Sequence, residues 1–400
     1  MEMLHAKTME QIDLSRETDD EELQAIIDRV ISAVAAENYI PLQDKIQFSK
    51  DLFHTFRRLD VLQELIEDDE ITEIMINGTD PIFLEKKGRL FQSDKRFMSE
   101  GKLEDVIQQI VASTNRYVNE TSPIVDARLA DGSRVNVVLK PVALNGPILT
   151  IRKFPKEKIT MEQLLVWESL SSEIIEFLKR LVKSQYNIFV SGGTGSGKTT
   201  FLNALADFIP PDERVITIED NAELQIKGIR NLVRLETRNA NLEGEGEISI
   251  RDLIKSALRM RPTRIIVGEV RGEETVDMIS SAMLNGHNGG MSTGHANSAQ
   301  DMLQRLETMM MMGIEMPLPA ISRQVASGLD IIIHLGRIRD RSRKVMEIVE
   351  VLGYENGNIN IETLFEFQEK GVEDGKIKGE FVKVSELRKR DKLLAAGYLD

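Results

Sequence analysis

The segment NIFVSGGTGSGKTT, residues 187–200, decides the fold of this chain. Its β-forming residues 188–190 lead into a glycine-rich stretch, residues 192–199, and a helical pattern follows. The stretch fits Gly, four residues, Gly, Lys and then Ser or Thr, which is the pattern of a phosphate-binding P-loop. Such a loop turns its backbone N–H groups inward, and the helix that follows adds the positive end of its dipole. The sequence therefore predicts a nucleotide site between a strand and a helix.

Individual residues of this loop have distinct predicted roles. Lys198 is expected to reach the terminal phosphates, and the hydroxyl of Thr199 is expected to bind Mg²⁺. The other predicted nucleotide contacts come from Gly193, Thr194, Gly195, Ser196, Gly197 and Thr200. ATP and Mg²⁺ are thus the expected substrate and cofactor. The alternative is a glycine-rich turn that matches the pattern by chance.

Composition limits the class of protein. A chain of 400 residues exceeds what one core usually holds, so two domains and an extension are expected. There is no cysteine, which excludes disulfides and cysteine-based zinc sites. We find no signal peptide and no run of about 18 apolar residues, so we expect a cytoplasmic protein whose membrane contact goes through a partner. The net charge of −14 argues against a nucleic-acid partner.

The first part of the chain is predicted to be a helical extension followed by a small α+β domain. Residues 1–59 contain amphipathic patterns at 20–37 and 44–58, which either pack on the main body or dock on a partner. Residues 60–153 alternate short β-forming runs with turn pairs such as Asn77-Gly78, around one helical pattern at 102–116. Residues 154–165 are the predicted linker.

Residues 166–400 are predicted to form an α/β domain around the P-loop. Strand patterns alternate with helix patterns, which implies a parallel sheet covered on both faces. Ligands of such sheets bind at the carboxyl ends of the strands, where Glu219, Glu269 and Thr293 fall. A β-rich tail from residue 345 and a terminal helix over residues 385–396 complete the prediction.

Two acidic segments lie at predicted strand ends. RIIVGE, residues 264–269, has the form of a Walker B strand, although Gly268 stands where an Asp is common, so Glu269 must hold Mg²⁺ alone, through water. TIEDNAEL, residues 217–224, supplies Glu219 and Asp220 for the nucleotide site and Glu223 as the residue that polarises the attacking water. The alternative is that some of these acids only cap the following segment.

Histidines and arginines complete the predicted site. GHNGGMSTGHA, residues 286–296, carries His287 and His295, which either sense the γ-phosphate or have a structural role; their spacing matches no standard metal site. An arginine from another domain or subunit can stabilise charge in the transition state. The candidates before the linker are Arg128, Arg134 and Arg152, and Arg271 follows Glu269.

Four motifs, GGTGSGKTT, TIEDNAEL, RIIVGEVRG and GHNGGMSTGHA, occur in this order, and together they resemble the secretion ATPase superfamily of type II secretion, type IV pili and type IV secretion. The segments LIEDDEITEIMINGTDPIFLEKKGRL, ARLADGSRVNVVL, LTIRKF and LRMRP look most like the CpaF/TadA branch, the motor of tight-adherence pili. The resemblance covers approximately residues 60–345.

The resemblance implies a RecA-like ATPase domain behind a PAS-like N-terminal domain. It also implies a ring-shaped homohexamer, seated at the inner face of the cytoplasmic membrane on an inner-membrane platform protein. By similarity Arg134 and Arg152 contact the nucleotide, which binds between the two domains. The expected activity is Mg²⁺-dependent ATP hydrolysis that powers pilus assembly or secretion. The alternatives are a conjugative, VirB11-like type IV secretion ATPase, a nucleic-acid translocase and a non-catalytic ATP-binding scaffold.

Overall fold

The computed structural model describes residues 1–13, 16, 18–86, 88–114, 116–154, 158–238, 240, 245–284, 286 and 288–398. The chain divides into two compact units, residues 1–156 and residues 157–400. Within the described residues no helix combines the length and the apolar character needed to cross a membrane.

The first unit contains helices and a sheet, and all its helices except the last precede the sheet in sequence. The helices are α1 (Glu2–Met9), α2 (Asp20–Glu37), α3 (Leu42–Arg57), α4 (Val61–Glu67) and α5 (Glu100–Ala112). The side chain of Asp19 caps α2 by accepting a hydrogen bond from the amide of Glu22 at 2.8 Å. The apolar stripe of α2 is buried with Leu4 and Leu52, so α1, α2 and α3 share one small core.

A six-stranded antiparallel sheet completes the first unit, in the order β3-β2-β1-β6-β5-β4. Its strands are β1 (Ile71–Asn77), β2 (Ile82–Lys86), β3 (Arg89–Gln92), β4 (Ile124–Arg128), β5 (Arg134–Val138) and β6 (Ile148–Arg152). One face of the sheet packs on the apolar side of α5, because Leu103, Ile107 and Val111 are buried at helical spacing.

The second unit is built on a nine-stranded mixed sheet, in the order β15-β14-β13-β12-β7-β11-β10-β8-β9. The strands are β7 (Ile188–Gly192), β8 (Arg214–Glu219), β9 (Asn231–Glu236), β10 (Arg264–Val267), β11 (Met291–Gly294), β12 (Ile331–Arg337), β13 (Arg343–Glu355), β14 (Asn358–Glu373) and β15 (Lys376–Lys383). The six from β12 to β9 are parallel, and β13, β14 and β15 continue the sheet antiparallel. The P-loop strand β7 therefore lies in the interior of the sheet, between β12 and β11.

Helices cover both faces of this sheet, as predicted. They are α6 (Met161–Val166), α7 (Ser172–Lys183), α8 (Lys198–Ala206), α9 (Ile250–Ala257), α10 (Glu274–Asp277), α11 (Ala299–Gly313), α12 (Leu318–Gly328) and α13 (Asp391–Ala395). One core contains α7 and α8, and a second contains α9, α11 and α12. Helix α10 continues as a π-helical turn, Met278–Met283. The helical segment that begins at Glu274 is therefore not a regular α-helix throughout.

Two predicted boundaries differ from the structure. Helix α6 lies largely within the predicted linker, because Met161 and Leu164 share a face and are buried in the core. The terminal helix is much shorter than predicted. Buried Glu350 accepts hydrogen bonds from the amides of Arg388 and Lys389 at 2.8 and 2.7 Å, which holds that segment outside a helix.

A buried ion pair fixes the amino-terminal ends of the central strands. Arg264, with no exposed side-chain surface, makes two 2.9 Å hydrogen bonds to the carboxylate of Glu213. It also donates to the carbonyl oxygens of Gly289 and Val182 at 3.1 Å each. A single guanidinium thus joins β10 to the residues that precede β8 and β11 and to the end of α7.

Arg264→Met is expected to lower the free energy of unfolding by about 3–5 kcal/mol, since it leaves the Glu213 carboxylate buried without its partner. The double variant Arg264→Met, Glu213→Leu should recover part of this loss because no buried charge remains. Denaturant unfolding of the three proteins measures the difference. Equal stability of the single and double variants would contradict the explanation.

Candidate active site

The P-loop joins β7 to α8, and residues 193–200 form the loop and the first helical turn. Gly192 has φ +156°, and a Cβ there would lie 2.5 Å from the carbonyl oxygen of Leu335, so no other residue fits without movement. The first amides of an α-helix have no partner within the helix, so those of α8 are suited to bind an anion. All predicted P-loop contacts therefore occupy one turn at the carboxyl edge of the sheet, and anion binding by this turn stays a prediction.

Lys198 lies at the centre of the site. Its Nζ donates to the carbonyl oxygens of Gly192 and Gly193 at 3.1 and 3.0 Å and lies 3.1 Å from Nδ1 of His295. An ammonium group only donates, so Nδ1 of His295 carries the lone pair and Nε2 carries the proton. Burial, followed by the charge of Lys198, lowers the pKa of His295 and favours this neutral form.

Glu269 follows β10 and lies on the other side of His295. Its Oε1 is 2.9 Å from Nε2 of His295, and its Oε2 accepts a 2.8 Å hydrogen bond from Arg271. Arg271 also lies 3.8 Å from a carboxylate oxygen of Asp220. The structure thus brings Lys198, His295, Glu269, Arg271 and Asp220 into one continuous polar chain along the strand ends.

One oxygen of this chain fits a role at a metal. Oε1 of Glu269 is buried, and although His295 is near, no group within the described part of the chain donates to it with hydrogen-bond geometry. A carboxylate oxygen without a donor suits Mg²⁺ or a water bound to Mg²⁺. No cluster of three or more acidic or histidine side chains that could hold a metal occurs among the described residues. Mg²⁺ would therefore take its other ligands from Thr199, the nucleotide and water.

Glu219 organises the acidic loop. It is buried, and its Oε1 accepts hydrogen bonds from the amides of Glu223 and Leu224, at 2.8 Å each. Burial raises the pKa of Glu219 to about 7, although the two amides oppose this. The contacts favour an orienting role for Glu219 over the predicted direct contact with the nucleotide. Glu223, held in this way, is one of the charges that act on Arg271.

Gly268, the departure from the usual Walker B sequence, has a physical explanation. A Cβ at this position would lie 2.9 Å from Cγ of Glu219. An aspartate at residue 268 would therefore displace the side chain that orders the loop of Glu223. Glycine at residue 268, where a Walker B strand commonly has Asp, thus leaves space for the buried Glu219 on the neighbouring strand β8.

The raised pKa of Glu219 predicts a pH dependence of stability. Between the ordinary value of 4.5 and about 7 the folded protein binds more protons than the unfolded chain, so the free energy of unfolding falls as pH rises through this window. Glu219→Gln should remove this pH dependence. Over the whole window the change in the free energy of unfolding amounts to about 3 kcal/mol at most. Scanning calorimetry of both proteins without nucleotide, from pH ~5 to ~8, measures it. Parallel profiles for the two proteins would contradict the assignment.

Two further arginines contact the P-loop and were missed in the sequence. Arg343, at the start of β13, donates through Nε to the carbonyl oxygen of Gly195 at 2.8 Å, and its Cδ lies beside Gly197. Arg337, its register partner at the end of β12, lies beside Gly195. Their segment RIRDRSR matches no nucleotide motif, and only the pairing of β12 with β7 would have revealed them.

The remaining predicted residues have different outcomes. Arg134 on β5 and Arg152 on β6 are register partners in the sheet of the first unit. Arg128, on β4, is the register partner of Arg134 on its other side. Three arginines thus form a row across three strands, and their role in nucleotide binding stays a prediction. His287 lies outside the described residues, and its predicted contact with the nucleotide also stays a prediction.

Residues 57–384 match the family model described as "Type II/IV secretion system protein". The chain belongs to the type II/IV secretion system ATPase family. ATP hydrolysis is the activity that this membership implies, with ATP as the substrate. The prediction of the superfamily is therefore confirmed.

Curated relatives of this secretion ATPase are named for conjugal transfer and type IV secretion. A putative conjugal transfer protein of Mycobacterium tuberculosis is 32% identical over 320 residues, which covers 78% of this chain and 90% of the relative. The conjugal transfer protein TrbB of Rhizobium radiobacter is 30% identical and covers 78% and 93%. The type IV secretion system protein PtlH of Bordetella pertussis is 31% identical and covers 72% and 93%.

Solved structures establish the fold of the secretion ATPase. The ATPase DotB of Legionella pneumophila superposes with a TM-score of 0.52 at 22% identity, over 74% of this chain and 80% of DotB. DotB of Yersinia pseudotuberculosis gives the same TM-score at 18% identity, over 74% and 79%. The predicted fold class, a RecA-like α/β domain behind a smaller N-terminal domain, is confirmed.

Proposed function

We propose that this secretion ATPase hydrolyses Mg-ATP at the carboxyl edge of the second sheet and uses the energy to transfer substrates through a type IV secretion apparatus. The observation that carries the proposal is the polar chain from Lys198 to Asp220 beside a complete P-loop. The relatives named for conjugal transfer support the transport role, since they match along most of their length.

Each residue has a proposed part in hydrolysis. Lys198 binds the terminal phosphates, and Thr199 and Glu269 hold Mg²⁺, which neutralises phosphate charge when bound. His295, as a neutral Nε2–H tautomer, lies between Lys198 and Glu269 and senses the γ-phosphate. Glu223 orients the attacking water from the loop that Glu219 orders. Arg134 and Arg152 are proposed to supply positive charge to the transition state.

The assembly and its location are part of the same proposal. The working form is a homohexameric ring, at the cytoplasmic face of the inner membrane, that binds an integral platform protein. Assembly of tight-adherence pili is the second candidate, and the resemblance of ARLADGSRVNVVL and LTIRKF to the CpaF/TadA branch favours it. The names of the relatives favour conjugation or type IV secretion more strongly.

A deletion strain complemented with wild type or Glu269→Gln separates these candidates. We expect loss of conjugative transfer or protein secretion, restored by the wild-type gene and not by the variant. Loss of surface pili with normal conjugative transfer would instead indicate the pilus motor. If neither phenotype appears, or if Glu269→Gln complements fully, the proposed transport role is wrong.

A further inference from the structure

His334 is a buried histidine that the proposed mechanism does not use. It lies on β12, directly beside Ser191 of β7 in the parallel register, and it is 7% exposed. Its Nδ1 is 2.9 Å from the hydroxyl oxygen of Ser191. The ring also hydrogen-bonds to the backbone of Asn297. A single imidazole therefore connects two different segments of the site.

The two segments are those that carry Lys198 and His295. Ser191 is the residue immediately before Gly192, where the P-loop begins, and Asn297 follows His295 by two residues. The bond to Asn297 favours the protonated ring, so its backbone partner is the carbonyl oxygen and the ring donates. His334 is thus expected to be a neutral Nε2–H tautomer that accepts from the Ser191 hydroxyl at Nδ1.

Charged groups from the neighbouring elements hold the same region. Glu347 on β13 is the register partner of His334, and its Oε1 accepts a 2.8 Å hydrogen bond from the amide of Ala299, at the start of α11. Asp301 in the first turn of α11 and Lys198 also act on the ring. The segment after His295 is therefore fixed to β12 and β13 at adjacent points.

We propose that His334 is a positioning residue for ATP hydrolysis, which holds His295 at its distance from Lys198 and Glu269. The contacts form a closed circuit from Ser191 along the P-loop to Lys198, across to His295, along the chain to Asn297, and back through His334. Opening the circuit at His334 frees the His295 segment to move relative to the P-loop. The inference rests on the proposed function, because it assumes that hydrolysis occurs at this site.

Three substitutions at His334 separate its two hydrogen bonds. The amide group of glutamine lies near the position of Nε2, so it keeps a donor for Asn297. The amide group of asparagine extends only to the position of Nδ1, so it keeps an acceptor for Ser191. Leucine keeps neither. His54→Leu, at a buried histidine of the first unit, is the matched control for the cost of removing a buried imidazole.

Steady-state ATP hydrolysis with the full chain is expected to show a split between kcat and KM. For His334→Leu and His334→Asn we expect kcat to fall about tenfold while KM for ATP stays within about threefold, and His334→Gln should stay within about threefold of wild type. If His334 only stabilised the core, its replacement would lower the melting temperature, and the kcat values would not fall in Leu and Asn while staying near wild type in Gln.

The outcomes distinguish the two proposals. If the wild type does not hydrolyse ATP, the proposed function is wrong and the positioning role falls with it. If the wild type is active and His334→Leu has the same kcat, only the positioning role is wrong. The same holds if His334→Asn and His334→Gln have equal kcat values. Nitrogen-15 spectra of histidine-labelled wild type give a test that does not depend on folding of the variants. The Nε2–H tautomer of His334 is expected, and the Nδ1–H tautomer would overturn the inference.

Discussion

Glu269→Gln is expected to reduce the rate of ATP hydrolysis about 10- to 100-fold, the range typical for loss of a group that supports a bound metal from its outer shell. Glutamine keeps an oxygen for the hydrogen bond from Arg271, but it removes the negative charge whose Oε1 has no hydrogen-bond donor among the described residues. ATP binding should persist, with a Kd within about threefold of wild type, since the P-loop is unchanged. Phosphate release and fluorescent-nucleotide titration measure the two quantities.

The matched control for this variant is Glu273→Gln. Glu273 lies four residues further along the chain, has a 56% exposed side chain and pairs with Arg251. Its replacement removes the same charge outside the polar chain, so kcat should change by less than about twofold. Equal losses in the two variants would show that the general charge of this segment, and not the Glu269 carboxylate, is responsible.

Lys198→Ala is expected to abolish both binding and hydrolysis. The ammonium is expected to make charged hydrogen bonds to the phosphates, each worth about 1.5–3 kcal/mol, so the Kd for ATP should rise by about 10²-fold or more. Without nucleotide the melting temperature should change little, because Gly192 and Gly193 lose a donor that water can replace. Nucleotide should then no longer raise the melting temperature of the variant.

Lys179→Ala is the control for this change. Lys179 lies on α7, is 40% exposed and pairs only weakly with Glu176 at 3.4 Å. We expect it to bind and hydrolyse ATP as the wild type does. Retention of ATP-dependent thermal stabilisation in Lys198→Ala would contradict the role of the P-loop lysine.

The central site could be predicted because its signals are local in sequence. The P-loop pattern fixes a strand, a turn and a helix within about 15 residues, and the acidic segments mark strand ends that a parallel sheet brings together. The antiparallel strands β13–β15, and the contact that Arg343 of β13 makes with the P-loop, depend on long-range pairing. Arg343 is separated from Gly195 by 148 residues, and no local pattern reports such a contact.

Roles within the acidic loop were harder to predict than its location. Sequence alone places Glu219, Asp220 and Glu223 at one strand end, and it cannot show that Glu219 is directed to backbone amides while Asp220 faces Arg271. The reason lies in Gly268, directly after the adjacent strand β10, whose missing side chain makes room for Glu219. His334 was missed because its contact with Ser191 arises only where β12 pairs with β7.

ATP hydrolysis at this carboxyl edge can be measured as turnover by the wild-type chain. Phosphate release should be followed in Mg-ATP and in EDTA, on protein fractionated by size exclusion in the presence of nucleotide. We predict Mg²⁺-dependent, multiple-turnover hydrolysis that elutes with a hexamer-sized species. A protein that binds ATP and never releases phosphate, even when assembled, would be an ATP-binding scaffold and not an ATPase.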